Sequence, residues 1–210
     1  MTRGPRLRSP DLDVPWRDVE YCVVDVETTG LDLRHDEVIS FGSVLVRSGR
    51  LGLDTCTYLP VRPSGPISQT AMTVHGLRRQ DLEAAPGIGE VADLIRTELD
   101  DRVLVAHAVW VERAFLGRTV PGMGRRRPPT VDTAALLRAT GLAPAGTGHE
   151  PDLEAASTTL GLSPHTPHHA LGDALTTGEV LLATVSRLER DHPSLTARTL
   201  VEVSRRHSAT

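Results

Sequence analysis

The chain has 210 residues, 39% of them hydrophobic, and a net charge of -4 with an isoelectric point near 6.1. This length suits one domain with a single core, because domains commonly hold roughly 100 to 200 residues. The negative charge excludes a protein that holds duplex DNA mainly through a large basic face.

The composition also bears on where the protein works. Residues 1–16 are rich in proline and arginine and lack the apolar stretch of roughly 7 to 15 residues found in a secretory signal. No apolar run elsewhere approaches the ~18 uncharged residues of a membrane span. Cys22 and Cys56 lie in apolar strand-like runs without metal-type spacing, which is typical of buried, reduced thiols. We therefore expect a cytoplasmic protein with no membrane partner.

The first half of the chain predicts an antiparallel meander. Runs rich in β-formers cover residues 21–26, 38–46 and 51–59, and a Ser-Gly-Arg turn separates the last two. After Pro66 the apolar residues recur at helical spacing through 91–99, and a short apolar strand follows at 102–106.

Helices dominate the second half. A helical pattern covers 109–116, and a short strand is expected at 130–131. Four more helical patterns follow, over 133–140, 152–160, 171–188 and 195–203. This order of elements indicates a mixed sheet flanked by helices.

The chain divides into three parts in this interpretation. Residues 1–18 form a loose N-terminal arm, residues 19–190 the main domain, and residues 191–210 a C-terminal helical extension. Within the main domain, only the segment 141–151 has a composition typical of a linker or mobile loop.

Two acids end the first predicted strand. Asp25 and Glu27 are two residues apart, so their side chains project from the same face of the strand. Such like charges are stable together when a divalent cation lies between them, and oxygen ligands favour Mg2+ or Mn2+. The pair indicates a metal site, although a strand that ends in two solvated acids would show the same pattern.

The next three residues, Thr28, Thr29 and Gly30, supply hydroxyls, backbone donors and a turn suited to holding a chain terminus. Together with Asp25 and Glu27 they resemble the first motif of the DEDDh exonucleases, the DnaQ-like family of proofreading, epsilon-subunit-like 3'-to-5' exonucleases. The resemblance runs from about residue 21 to about residue 188. It identifies the main domain, 19–190, as an exonuclease domain.

The second motif of this family lies on a helix after a buried strand, and residues 105–116 resemble it. The family usually has His-Asn and then Asp here, whereas this chain has His107, Ala108 and Glu112. A glutamate is one methylene longer than aspartate and can still reach a metal, directly or through water. The resemblance implies Glu112 as a metal ligand; the alternative is a solvated helix residue.

The third motif, His-x-Ala-x-x-Asp, is matched by His168 and Asp173. Asp173 falls in the first turn of a predicted helix, where the helix dipole stabilises a carboxylate. The motif implies His168 as the general base rather than His169, whose ring would face the backbone or a phosphate. One alternative is that His165, His168 and His169 form a solvated loop. The other is a zinc cluster of these residues with a cysteine elsewhere, which is disfavoured because no Cys or His lies at a partner spacing.

Two further segments resemble the family. Residues 73–77 correspond to a loop that contacts the terminal nucleotide, which implies substrate binding by His75 as well as by Thr28, Thr29 and Gly30. The Val-Asp-Thr step at 131–133 corresponds to a strand-to-helix junction, where Asp132 is expected as a helix N-cap rather than a ligand.

The resemblance implies an α/β ribonuclease H-like fold: a mixed five-stranded sheet, its first three strands antiparallel, flanked by helices. It also implies two Mg2+ or Mn2+ ions held by acids, with His168 taking the proton from the attacking water. The implied ligands and catalytic acids are Asp25, Glu27, Glu112 and Asp173. The expected substrate is DNA with a free 3' end, released as nucleoside monophosphates.

Two other functions stay open at this point. An exoribonuclease that trims RNA carries the same acids and histidine, so the motifs do not separate the two substrates. A catalytically weak module that binds a polymerase or a nucleic-acid end is the alternative of another class, suggested by Glu112 and Ala108. The retention of Asp25, Glu27, Asp173 and His168 in place favours an enzyme.

Two expectations concern the surroundings of the domain. Nothing polymerase-like follows residue 188, so a polymerase partner would be a separate chain. The arginines at 125–127 form either a solvated loop or a rim that contacts phosphates, and we favour the solvated loop.

Overall fold

A computed structural model describes residues 7–123, 127–143 and 150–208. Five strands form one sheet with the order β3-β2-β1-β4-β5. They are β1 (Tyr21–Thr28), β2 (Val38–Arg47), β3 (Arg50–Pro60), β4 (Val103–Ala106) and β5 (Thr130–Asp132). Strands β1, β2 and β3 pair antiparallel, while β4 and β5 run parallel to β1. The expected mixed sheet with three antiparallel strands is confirmed.

Seven α-helices flank the sheet within the described residues. They are α1 (Gln69–His75), α2 (Ile88–Leu99), α3 (Trp110–Thr119), α4 (Thr133–Thr140), α5 (Leu153–Thr159), α6 (Ala170–Asp191) and α7 (Ala197–His207). Short 3-10 helices cover Trp16–Asp18 and Arg79–Leu82. Within the described residues, no helix is both long and apolar enough to cross a membrane.

The helix α1 corrects the sequence prediction, which placed residues 73–77 in a loop. The Ser68 hydroxyl caps this helix by accepting a hydrogen bond from the Ala71 N–H at 3.1 Å, and Gly76 ends it in the left-handed conformation. None of its residues is buried. Its apolar residues Ala71 and Met72 are only partly buried, against a small cluster of Ile39, Ile67 and Leu82, so this short helix gave no clear periodic signal.

Side chains of β1 alternate between two cores. Cys22 and Val24 pack with residues of α2 and α3, whereas Tyr21 and Val23 pack with residues of α6 and α7. Odd-numbered positions of β1 therefore face α6. The acids at positions 25 and 27 continue this series, so the strand directs them toward the helix that carries Asp173.

A glycine on β2 lets α6 approach the sheet at this point. Gly42 pairs with Asp25 across the β1–β2 ladder. A Cβ atom at Gly42 would lie 2.2 Å from the carbonyl carbon of Ala170, the first residue of α6. Only glycine fits there, and the close contact brings the N-terminal turn of α6 to the acids of β1.

The expected looseness of the N-terminal arm is wrong for residues 7–18. Leu7 and Trp16 are buried, and the Trp16 backbone N–H donates to the Leu195 carbonyl at 3.1 Å. The Trp16 indole N–H donates to Glu189 at 2.6 Å. Apolar anchors hold this segment on the domain, while residues 1–6 lie outside the described residues.

The C-terminal helix also joins the core. Leu200 of α7 is buried, and the Ser204 hydroxyl accepts a hydrogen bond from the Asp132 N–H at 2.8 Å. The boundaries at 19–190 and 191–210 remain predictions. Of the segment predicted to be mobile, 141–151, residues 144–149 lie outside the described part of the chain.

The two cysteines are free thiols. Cys22 is fully buried, as expected, and burial raises the pKa of its thiol. Cys56 is only partly buried; it lies on β3, which is an edge strand of the sheet among the described residues.

Candidate active site

Three carboxylates converge where β1 ends and α6 begins. Oxygen atoms of Asp25, Glu27 and Asp173 all lie within 4.8 Å of one another. Two of these acids come from one face of β1 and the third from the first turn of α6, as the sequence predicted. Like charges at this separation repel, so an oxygen-lined cluster of this kind fits a hard divalent cation.

Glu112 approaches the same cluster from α3. Its side chain is buried, with 3% of the residue exposed, so it is not a solvated surface residue. Within the described part of the chain, its Oε2 atom has no hydrogen-bond partner. Burial raises the pKa of Glu112 to about 8, and the charges of Asp132 and Glu27 add to the effect. An unpartnered buried carboxylate oxygen beside other acids is a further sign of a cation site.

Burial raises the pKa of every acid in the cluster, and the charges of neighbouring cluster acids add to the rise for Asp25 and Glu27. The pKa of Asp25 rises through burial and the charge of Glu112, and that of Glu27 rises to about 7 through burial and the charge of Asp173. Burial raises the pKa of Asp173 to about 6. A divalent cation would stabilise the ionised form of each acid, so these residues fit the metal that the sequence pattern implied.

His168 lies two residues before α6, next to the N-cap residue His169. Its backbone is in the left-handed region, with φ of 56°. Its N–H donates to Asp173 Oδ2 at 3.0 Å, which ties the loop to the cluster. The ring Nε2 is 3.5 Å from Glu154 Oε1 on α5, and about half of the side chain, 53%, is exposed. The residue therefore combines a fixed backbone with an accessible ring.

His169 has structural contacts instead. It is the N-cap of α6, and its Nδ1 accepts from the Gly172 N–H at 3.4 Å. The ring stacks on Tyr58 of β3, with 4.5 Å between ring centroids and an interplanar angle of 24°. These contacts agree with the expectation that the ring of His169 faces the backbone.

A pocket of about 320 Å3 opens beside Glu27. The walls of the pocket are mostly apolar. The apolar side chains are those of Val26, Leu31, Ala71, Val74 and Val111. Polar groups are contributed by Glu27, Thr28, Gly30, Ser68, Thr70 and His75. Three of the four predicted substrate-binding residues, Thr28, Gly30 and His75, therefore line it. Thr29 does not, because its hydroxyl is buried and donates to Asp36 at 2.7 Å.

The protonation of His75 follows from its contacts. Its Nδ1 accepts a hydrogen bond from the Leu77 N–H at 3.0 Å, so the proton resides on Nε2, which donates to the Thr28 carbonyl at 3.3 Å. Burial lowers the pKa of His75, which favours the neutral ring. His75 thus links α1 to the strand that carries the acids.

A strained turn joins β4 to α3. Ala108 has φ of 57°, and its N–H donates to Asp132 Oδ1 at 3.1 Å. The same oxygen accepts from the Ala134 N–H at 2.9 Å, which confirms Asp132 as the N-cap of α4. The asparagine usual at position 108 in the family tolerates this conformation better than alanine. Asp132 therefore holds the turn that leads to Glu112.

Sequence reasoning missed two residues near the site, Glu154 and Tyr58. Neither residue belongs to a motif of the family. Both come from other elements of the fold, and periodicity in the sequence does not show which residues of distant elements lie near a site.

The histidine cluster considered for zinc does not form in the described residues, where the only group of three or more potential ligands is the carboxylate cluster. His165 instead lies 3.2 Å from Glu179.

The chain is similar to known exonucleases in sequence. A family model described as "Exonuclease" matches residues 22–181. The chain is 31% identical over 189 residues to a DNA polymerase III PolC-type protein of Thermotoga maritima. It is 30% identical over 198 residues to a DNA polymerase III subunit epsilon-like protein of Rhodobacter capsulatus. These alignments cover 89% and 93% of this chain but only 13% and 28% of the relatives.

The fold is similar to solved exonuclease structures. Exonuclease X in complex with 5' overhanging duplex DNA matches with a TM-score of 0.66 and 24% identity, covering 88% of this chain and 99% of that one. E. coli Exonuclease I in complex with a dT13 oligonucleotide matches with a TM-score of 0.71 and 16% identity, covering 83% and 43%. These likenesses concern the fold alone. Because the matched region contains all three motifs and the fold agrees, the chain belongs to the DnaQ-like DEDD exonuclease family, whose members depend on divalent metals.

Proposed function

We propose that the chain is a 3'-to-5' exonuclease that hydrolyses phosphodiester bonds at the 3' end of single-stranded or frayed DNA and releases nucleoside monophosphates. The observation that carries the proposal is the convergence of Asp25, Glu27 and Asp173 beside a pocket. Membership of the exonuclease family supports the reaction class.

The acids would hold two Mg2+ or Mn2+ ions. Asp25, Glu27 and Asp173 would be the principal ligands of these ions, and Glu112 would support the site from α3. Two such ions, when bound, stabilise charge on the attacking and leaving oxygens of the phosphodiester. The donor set of oxygens alone supports this choice of metal.

His168 serves as the general base. The exposed ring accepts the proton of the attacking water, while the backbone hydrogen bond to Asp173 fixes the loop. Glu154, 3.5 Å from Nε2, stabilises the charged ring after proton transfer. This arrangement would keep the proton acceptor next to the acids without placing it among the metal ligands.

The pocket beside Glu27 receives the 3'-terminal nucleotide. Its volume of about 320 Å3 lies at the lower end of the ~300 to 1,000 Å3 common for small-ligand sites. Val74 and Val111 offer apolar surface to a base, and Thr28, Gly30 and His75 offer polar contacts. Thr29 supports the pocket through Asp36 instead of contacting the substrate.

The test uses single-stranded DNA labelled at one end or the other, with Mg2+ present. We expect a 3' label to be released at once as a mononucleotide, and a 5'-labelled strand to shorten in steps. The substitution Asp25→Asn should abolish both the mononucleotide release and the stepwise shortening. A chelator should abolish both in the wild-type protein. Internal cleavage, release of the 5' label first, or equal rates in Asp25→Asn would contradict the proposal. A matched RNA strand, run in parallel, tests the exoribonuclease alternative.

A polymerase chain is the partner that this activity would serve. The names of the PolC-type and epsilon-like relatives support this part of the proposal. The measurement is primer extension by the host replicative polymerase from a mispaired 3' end, with and without this chain. Faster removal of the mispair in the mixture than by the chain alone is expected, and equal rates would contradict a partnership.

A further inference from the structure

The N-terminus of α6 rests on a seat that β2 and β3 both form. In the pairing of the antiparallel strands, Asp25, Gly42 and Tyr58 stand side by side in one row, so all three project from the same face of the sheet. Gly42 leaves the space that the backbone of Ala170 occupies. Beside it, the ring of Tyr58 stacks on His169, with 4.5 Å between ring centroids. Two consecutive residues at the start of α6 are therefore held by two neighbouring strands.

His169 is joined by its backbone to the two residues of this segment that the proposed reaction uses. It directly follows His168 in the chain, and its carbonyl accepts a hydrogen bond from the Asp173 N–H at 2.9 Å. The His168 N–H in turn donates to Asp173 Oδ2 at 3.0 Å. A shift of His169 would therefore move the proposed base and one acid of the carboxylate cluster together.

The backbone of this segment is strained and tightly packed. His168 has φ of 56°, a left-handed conformation that costs energy in any residue other than glycine. In the next turn, a Cβ atom at Gly172 would lie 2.2 Å from the Thr166 carbonyl oxygen. Strained backbone of this kind persists only where surrounding contacts hold it in place. The ring of Tyr58 supplies one such contact from the edge strand of the sheet.

We propose that Tyr58 is a positioning residue, which by stacking on His169 holds the first turn of α6 so that His168 and Asp173 are correctly placed for hydrolysis. This inference rests on the proposed function and adds to it a residue that acts through His169. Among the described residues, those that line the pocket beside Glu27 include none from β3 or α6. Substrate binding in the pocket should therefore not depend on Tyr58.

The test replaces the ring of Tyr58 in three ways. Tyr58→Phe keeps the aromatic ring, Tyr58→Leu keeps apolar volume without a ring, and Tyr58→Ala removes both. The substrate is the p-nitrophenyl ester of thymidine 5'-monophosphate, which is small enough to report on the pocket and the acids alone. With saturating Mn2+, the leucine and alanine variants should lose about three- to tenfold in kcat, the range expected for losing one aromatic pair. Their KM should be unchanged, and Tyr58→Phe should match the wild type.

Metal binding gives a readout that does not depend on catalysis. Mn2+ is titrated into each protein without substrate, and the Kd and the number of ions bound per chain are measured. Because Asp173 is a proposed ligand, Tyr58→Leu and Tyr58→Ala should raise the Kd by about three- to tenfold, and Tyr58→Phe should leave it unchanged. A partly unfolded variant would instead bind fewer ions per chain with the wild-type Kd. The two measurements therefore separate displacement of the ligand from loss of the fold.

Two substitutions on the same strand serve as matched controls. Thr57 precedes Tyr58, so its side chain lies on the other face of β3. Leu53 is 69% exposed on this strand. Thr57→Ala and Leu53→Ala should keep the wild-type kcat and Kd. The double variant Tyr58→Ala/His169→Ala should be no slower than His169→Ala, because the two residues act through one contact.

The outcomes distinguish this inference from the proposed function. The inference is overturned if Tyr58→Leu and Tyr58→Ala keep the wild-type kcat and Kd, or if Tyr58→Phe falls as far as Tyr58→Ala. A rise in KM without a fall in kcat, an equal loss in the controls, or a double variant slower than His169→Ala would overturn it as well. A wild type that binds no Mn2+ and hydrolyses neither the ester nor a DNA strand would instead overturn the proposed function.

Discussion

Removing the charge of Glu27 should stabilise the metal-free protein while it abolishes activity. The pKa of Glu27 is raised from 4.5 to about 7 by burial and by the charge of Asp173. At about 1.4 kcal/mol per pH unit, ionised Glu27 destabilises the folded protein by at most about 3 kcal/mol. Because its folded pKa is the higher one, the unfolding free energy falls as pH rises from about 4.5 to about 7 and then levels off.

Glu27→Gln removes this charge with almost no change of shape. In EDTA at pH 8 we expect the variant to melt about 6 to 12 °C above the wild type, since 1 kcal/mol corresponds to about 2 to 4 °C in a domain of this size. At pH 4.5 the difference should vanish. Adding Mg2+ or Mn2+ should raise the melting temperature of the wild type more than that of the variant.

Calorimetric melting curves across this pH range, in EDTA and in excess metal, provide the measurement. Glu83→Gln is the matched control, because its side chain is exposed and forms no ion pair within the described residues. A Glu27→Gln variant that is less stable than the wild type at pH 8 would refute the reasoning. An increase in melting temperature of equal size at pH 4.5 and at pH 8 would also refute the reasoning.

Three further predictions test the neighbouring residues. Glu112→Ala should be nearly inactive and Glu112→Asp partly active in the labelled-strand assay; an unchanged rate for alanine would make Glu112 a bystander. His168→Ala should lose about 10² to 10⁴-fold in kcat, while His169→Ala should retain much more activity but lose about 1 kcal/mol of stability with its helix cap. The reverse ranking in activity would reassign the base. Ala108→Gly should raise the melting temperature by about 1 to 4 °C by relieving the left-handed backbone, and a lower value would contradict the strain.

Local patterns in the sequence were enough to predict where several acids of the site lie on their strands and helices. Alternation along β1 placed Asp25 and Glu27 on one face, because the side-chain period of a strand is two. Asp132 was identified as an N-cap because a strand-to-helix step needs an acceptor for free backbone N–H groups, and the structure agrees. The position of Asp173 in the first turn of α6 was also a local property, set by the start of an apolar helical pattern. Features of this kind depend on a few neighbouring residues.

Contacts between distant elements were decided only by the tertiary structure. The burial of Glu112 depends on how α3 packs over the end of β1, and the contact of His168 with Glu154 depends on where α5 lies. Sequence reasoning left Leu7 and Trp16 in a loose arm, because their burial requires surfaces formed by residues far along the chain. The convergence of the acids depends on Gly42, whose missing side chain admits α6 to the sheet. A glycine in a strand pattern gives no sign of which backbone will approach it, since that partner is chosen by the packing of the whole fold.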